Sequence, residues 1–350
     1  MIYLAKCKGS ENMKTFLFPE GVRQFKANLH CHTTVSDGRN TPSEMKDHYK
    51  SKGYSVLAMT DHELLVDHSD LDDPDFLTVT GFEYAFCESR TFEDWPYTRT
   101  MEFNLFAKDQ HNVTQPCFDP EYVIHGEKWR SATVRRIDSP FERKYTIESM
   151  QHVIDCANAN GFLVSLNHPH YSMESPAFFG ALKGLFAMEI LNQGSYYVTC
   201  DYNPQMYDQM LNMGHRIACI AADDSHVADV RNGDAEDPRP WGFTMILAEK
   251  LDYQHIIKAI EKKSFYASNG PIIDSLCIED GVVRLECSPA KVIVMHTKGR
   301  HYAFTEAPLH EYLTRAEFRL PDDEFMRYEV IDEHGFRANT RAYFLDELEK

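Results

Sequence analysis

Five apolar runs of this chain end in the same kinds of residue. "FKANLHCHT" carries His30 and His32, "YSVLAMTDH" Asp61 and His62, "FLTVTGFEYAF" Glu83, "FLVSLNHPH" His168 and His170, and "RIACIAADDSH" Asp224 and His226. Each run has the length and apolar content of a buried strand. A chain that repeats this ending is constrained to a sheet whose strand tips converge, because histidine and carboxylate side chains there need partners when buried.

Helical patterns alternate with these runs. In "TPSEMKDHYKSKG", Thr41 is a helix cap, Pro42 the first helical residue, Glu44 the third position of a capping box and Gly53 the stop. "TIESMQHVIDCANANG", "NPQMYDQMLNMG" and "YQHIIKAIEKKS" read as further helices. Strand–helix alternation over roughly 250 residues predicts an α/β barrel with helices outside a parallel sheet. After the Asn269–Gly270–Pro271 cluster the pattern becomes short alternating runs such as "VVRLEC" and "KVIVMHT". The expected organisation is therefore a barrel domain over 1–272 and a small antiparallel β domain over 273–350. A long excursion at 86–145 interrupts the barrel pattern and holds Arg90, Arg99, Arg130, Arg135, Arg136 and Arg143. It reads as a cover over the strand tips, with an arginine fork suited to an anionic group there.

Composition narrows the partners. The net charge of −18 disfavours nucleic acid and anionic membranes. The nine cysteines form no C-x-x-C and read as reduced thiols. The N-terminus lacks a signal-peptide core, and the longest apolar stretch, "FFGALKGLFAMEIL", contains Lys183 and Glu189. These features predict a soluble cytoplasmic protein whose partner is a small molecule; the oligomeric state is not readable.

Residues i and i+2 of a strand point the same way, so His30 and His32 are placed to share one ion. Asp37 follows in "SDG", where a loop folds it back over the same spot. Glu83 lies among apolar residues and needs a cation or donor. Five such tips together favour a polynuclear metal site. Divalent ions about 3.5–4 Å apart in such a site would share a hydroxide as nucleophile. The mixed nitrogen and oxygen donors suit zinc, manganese or iron. Asp37 and His170 are the candidate catalytic side chains. His170 either meets the substrate and protonates its leaving oxygen or orients a ligand. Asp223 reads as an orienting group or loop cap, and Glu189 as a strand-end carboxylate at the same face. The remaining histidines, including those of the C-terminal domain, read as unconnected with the site.

"HCHTTVSDG" followed by "TDH", a strand glutamate, "NHP" and "DDSH" resembles the PHP family, named for polymerase and histidinol phosphatase. The resemblance covers residues 14 to about 272 and implies a distorted (β/α)7 TIM-like barrel binding two or three divalent metals and acting as a phosphoesterase. It implies that His30, His32, Glu83 and Asp224 hold one metal, that Asp37, His62 and His226 hold a second, and that Glu83 bridges to a third with His168. Where the family has a further histidine, on the strand after the bridging glutamate, this chain has Glu102. Two other readings remain. An amidohydrolase-like C–N hydrolase also begins with H-x-H, but adds a strand-tip lysine that this sequence does not show. A non-catalytic metal-binding or regulatory module would have lost donors, whereas here they are nearly complete.

Overall fold

The computed structural model describes residues 14–89, 98–137, 140–194, 202–226 and 242–348. Strand β1 is Lys14–Phe16. Strands β2 (Arg23–Asn28), β3 (Val56–Met59), β4 (Leu77–Cys87) and β5 (Thr100–Ala107) follow, then the short β6 (Thr114–Pro116) and β7 (Arg135–Ile137) of the excursion. Strands β8 (Phe162–Leu166), β9 (Ala187–Asn192), β10 (Ala218–Ala222), β11 (Phe243–Ala248) and β12 (Phe265–Ser268) come next. The chain divides into two compact units. Among the described residues the larger takes 21–270 and 339–342, and the smaller takes 14–20, 271–338 and 343–348. Residues 14–20 therefore fall outside the unit that holds the candidate site, because β1 pairs antiparallel with the strand Ile273–Glu279.

In the larger unit the ladder runs β10-β9-β8-β5-β4-β3-β2-β11-β12. Strands β2, β3, β4, β8, β9 and β10 share one direction, while β5 runs antiparallel to both its neighbours. Where the sequence leads to the expectation of a distorted (β/α)7 barrel, the larger unit has a mixed α/β fold with a large, mostly parallel sheet and few helices. The β3–β4 connection, for example, holds only the 3-10 turn Ser69–Leu71. Beyond the ladder, the segments that follow β2 and β10 meet. Cys31 and Ser225 form a parallel bridge, with His32 N–H donating to Ser225 O at 2.9 Å and Asp224 N–H to His30 O at 3.0 Å.

The helices form where the sequence signals them. Thr41 caps Pro42–Ser51 with a complete capping box to Glu44. The amphipathic helix Tyr253–Glu261 buries Ile256, Ile257 and Ile260 against Phe25, Ile246 and Phe265. Each such side chain contributes about 1.5–3 kcal/mol by leaving water. No helix among the described residues is long and apolar enough to cross a membrane.

The smaller unit is all antiparallel. One sheet is β1, β13 (Ile273–Glu279), β14 (Val282–Ala290) and β17 (Leu313–Arg319). Another is built on β15 (Val292–Thr297), β16 (Tyr302–Glu306) and β18 (Phe325–Ile331). Phe318 of the first and Tyr328 of the second have ring centroids 5.7 Å apart. The described cysteines of both units are free thiols.

Candidate metal centre

Strand direction explains which residues meet. His30 and His32 lie just past β2, held in extended pairing by the Cys31–Ser225 bridge. His62 follows β3 and bridges to Glu83 of β4. Glu83 stands opposite Asn104 in the antiparallel β4–β5 pair, and Ala85 opposite Glu102. Because β5 is reversed, its beginning, rather than its end, reaches the site. That brings in Glu102. His168 follows β8, and Asp224 and His226 follow β10. Asp224 adopts a left-handed φ of 51°, a strained conformation for a residue with a side chain.

These side chains form four overlapping donor groups: His32, Asp37, His62 and His226; His30, His168 and Asp224; His30, His32 and Glu83; and His62, Glu83 and Glu102. Within each group one donor atom per residue lies within 4.8 Å of the others. His32 Nε2 is 3.0 Å from Asp224 Oδ1 and 3.3 Å from Glu83 Oε2. His30 Nε2 is 3.3 Å from both Glu83 Oε1 and Asp224 Oδ1. His62 Nδ1 is 3.1 Å from Glu83 Oε2, His226 Nε2 is 3.4 Å from Asp37 Oδ1, and His168 Nε2 is 3.4 Å from Glu102 Oε2. Donors at 2.0–2.2 Å from one zinc ion stand about 3–3.5 Å apart, so the spacing fits cations among these groups. The buried His32 Nδ1 has no hydrogen-bond partner among the described residues, a loss of about 1–3 kcal/mol unless something else meets it.

The electrostatics point the same way. Burial opposes charge on His32, yet hydrogen bonds to Asp224 and Glu83 prevail and raise its pKa to about 10. Burial likewise opposes charge on His168, and Glu83 and Glu102 raise it to about 10. Burial first, and then neighbouring Glu83, push Glu102 up to about 8. Protons thus stand where divalent cations would balance the carboxylates.

An outer set of side chains orients these donors. His30 Nδ1–H donates to Glu189 Oε1 at 2.8 Å, which turns Nε2 toward Glu83 and Asp224. Glu189 Oε2 also accepts from His168 N–H at 2.8 Å and from Asn192 at 3.0 Å. Asn167 Nδ2 donates to Glu83 Oε1 at 2.6 Å. Asp61 accepts four hydrogen bonds from Thr33 and Ser36 and so shapes the loop that presents Asp37. A Cβ on Gly38 would lie 2.6 Å from the backbone of His32; only glycine lets the "SDG" turn close so tightly. Asp223 accepts from Tyr49 at 2.5 Å and Asn28 at 2.6 Å, and burial pushes its pKa up to about 7.

The excursion packs over this loop. Phe118 and Val123 share an apolar cluster with Val35 and Leu64, and Glu127 N–H donates to Val35 O at 2.9 Å. A cavity of about 710 Å³ is lined by the donors Asp37, His62 and Glu102 and by excursion residues that include Tyr122, Arg143 and Tyr145. Arg143 reaches the cavity, but its fork is closed on Glu63, with Nη1–Oε1 at 2.6 Å and Nη2–Oε2 at 2.5 Å. Arg99 pairs with Glu88 and Glu174, and Arg130 with Glu127. Arg135 and Arg136 are exposed, and Arg90 lies outside the described residues.

All nine residues singled out as donors in the sequence fall in the four groups. His170 does not: Asn203 Nδ2 donates to its Nδ1 at 2.8 Å, and Asn203 also caps the helix Pro204–Asn212. Sequence reasoning placed Asp61 at a strand tip without giving it a role, and passed over Asn167 and the Arg143–Glu63 pair. Asn167 and Asp61 directly precede the donors His168 and His62, and that adjacency was the available signal.

No family model and no curated protein matches the sequence. Among solved structures, the chain is similar to a two-domain protein from Bacteroides vulgatus containing a predicted PHP-like metal-dependent phosphoesterase. That similarity is 14% identical, covers 96% of this chain and 100% of the other, and has a TM-score of 0.47. A proposed metal-dependent phosphoesterase from Bifidobacterium adolescentis is 18% identical over 60% of this chain and 91% of that one, with a TM-score of 0.40. An amidohydrolase from Chromobacterium violaceum, with bound sulfate and no metal, is 15% identical over 57% and 87%, also at 0.40.

Proposed function

We propose that this protein is a metal-dependent phosphoesterase that hydrolyses a small phosphate ester, with two or three zinc, manganese or iron ions held by the strand-end donors. The observation that carries the proposal is the set of overlapping donor groups, sharing His30, His32, His62 and Glu83, beside a cavity of substrate size. Overlap of this kind suits more than one cation, and several cations offset the acidity of the chain for an anionic substrate. The Cys31–Ser225 bridge supports reading the larger unit as a distorted barrel closed at this mouth.

Bound divalent ions would supply Lewis-acid polarisation of a phosphoryl oxygen and activation of water at neutral pH. His30, His32, Glu83, His168 and Asp224 would hold cations on the buried side, and Asp37, His62 and His226 on the side nearer solvent, where they are partly exposed. Glu102 would complete the donors around His168 in place of an imidazole. Glu189 fixes the His30 tautomer, and Asn167 fixes the Glu83 carboxylate. Asp37 lies at the cavity wall, where it would face both a bound ion and the substrate. His170 is held by Asn203 and takes the role of an orienting group.

The test is a screen of phosphomonoesters, phosphodiesters and amides against protein loaded singly with manganese, zinc or iron. Metal-dependent release of phosphate or alcohol supports the proposal. Hydrolysis of amides alone would establish the C–N hydrolase reading instead.

A further inference from the structure

We infer that the cavity beside the donors selects a phosphate ester whose alcohol part is uncharged and carries an apolar, preferably aromatic, group. This deepens the phosphoesterase proposal and rests on it. A volume of about 710 Å³ is that of a drug-sized ligand site and far exceeds the needs of phosphate alone. Beyond Asp37, His62 and Glu102, the lining includes Ala85, Cys87, Tyr122, Ile124 and Tyr145. Ile124 is 57% exposed, a large apolar side chain kept at a cavity surface.

The polar tips of the aromatic lining are already engaged. Tyr122 Oη accepts from Arg143 N–H at 3.0 Å, and Tyr145 Oη donates to Glu174 at 3.0 Å. The Arg143 guanidinium lies 3.6 Å from the Tyr84 ring centroid and 3.9 Å from that of Tyr122, with its fork on Glu63. What these residues present is ring and methyl surface. Charge decides against a second anionic group. In this lining Arg143 is closed on Glu63, Glu88 pairs with Arg99, and Asp37 and Glu102 are donors; the other charges are Glu121 and Lys144, and neither arginine fork is open to a second phosphate. Cations held by the donors would absorb one phosphate; a second would meet no open arginine fork.

The test uses metal-loaded protein and three alkyl phosphates with leaving groups of similar basicity: 2-phenylethyl phosphate, 3-hydroxypropyl phosphate and 1,3-propanediol bisphosphate. The expected kcat/KM for the phenylethyl ester is about tenfold or more above each of the others, the scale of discrimination an apolar pocket gives. Ile124→Asp, at an exposed position, should erase most of that preference while bound metal, measured by mass spectrometry, is unchanged. Equal or faster turnover of the hydroxypropyl ester or the bisphosphate would overturn the inference and leave the phosphoesterase proposal standing. So would a preference undiminished in Ile124→Asp. Hydrolysis of none of the three, nor of p-nitrophenyl phosphate, by metal-loaded protein would overturn both.

Discussion

Arg143 and Glu63 form a buried two-pronged ion pair one residue beyond the donor His62. Glu63 takes a left-handed φ of 65°, and its N–H donates to Glu83 O at 2.8 Å. The pair therefore ties the excursion to the turn that aims His62, through a residue whose backbone is not at its preferred conformation. Removing one partner leaves a buried uncompensated charge. Arg143→Met should cost about 3–5 kcal/mol in denaturant unfolding, and Arg143→Lys less, because lysine keeps the charge but not the fork. The double variant Arg143→Met/Glu63→Met should recover part of the loss.

Glu189→Gln tests the support behind His30. The fold should persist, since an amide still accepts from His168 N–H. The carboxylate that holds His30 Nδ1–H is lost, and metal affinity measured by titration should fall about 10–100-fold. Unchanged affinity would show that His30 needs no such partner.

Much of this site is legible in the sequence because two short-range rules act there. Side chains at i and i+2 share a strand face, which places His30 with His32. The ends of co-directional strands gather at one edge, which places His62, His168 and Asp224 beside Glu83 within β4. The capping box at Thr41 and Glu44 is likewise local. What was not legible depends on long-range geometry. Nothing in "TMEFNLFA" reveals that β5 runs backwards, so that Glu102 enters the site from the strand's beginning. Nothing in "FERKYT" reveals that Arg143 will turn inward to Glu63, 80 residues away, rather than toward a phosphate. The pairing of Lys14–Phe16 with Ile273–Glu279 spans most of the chain, and no local pattern announces it.

Gly38→Ala should be disproportionately harmful for so small a change. The added methyl meets the His32 backbone at 2.6 Å, and neither side can yield without moving a donor. A loss of about 1–3 kcal/mol in stability, with weakened metal retention, is expected. A stable variant with full metal content would mean that the turn has more room than the structure gives it.

Chelation should lower the thermal midpoint, and adding back manganese or zinc should restore it. Each ion bound at a hundred times its Kd stabilises the native state by about 2.7 kcal/mol. A melting curve indifferent to chelator and metal would count against bound ions at these donors.

The central claim is that the strand-end donors of the larger unit hold a multinuclear metal centre. Elemental mass spectrometry of protein reconstituted with one divalent metal and desalted tests it most directly, alongside Asp224→Ala and Glu102→Ala. The account predicts at least two ions per chain in the unaltered protein, a major loss in Asp224→Ala, and loss or weakening of only the remaining ion in Glu102→Ala. Less than one ion per chain in the unaltered protein, or the same content in all three, would contradict it.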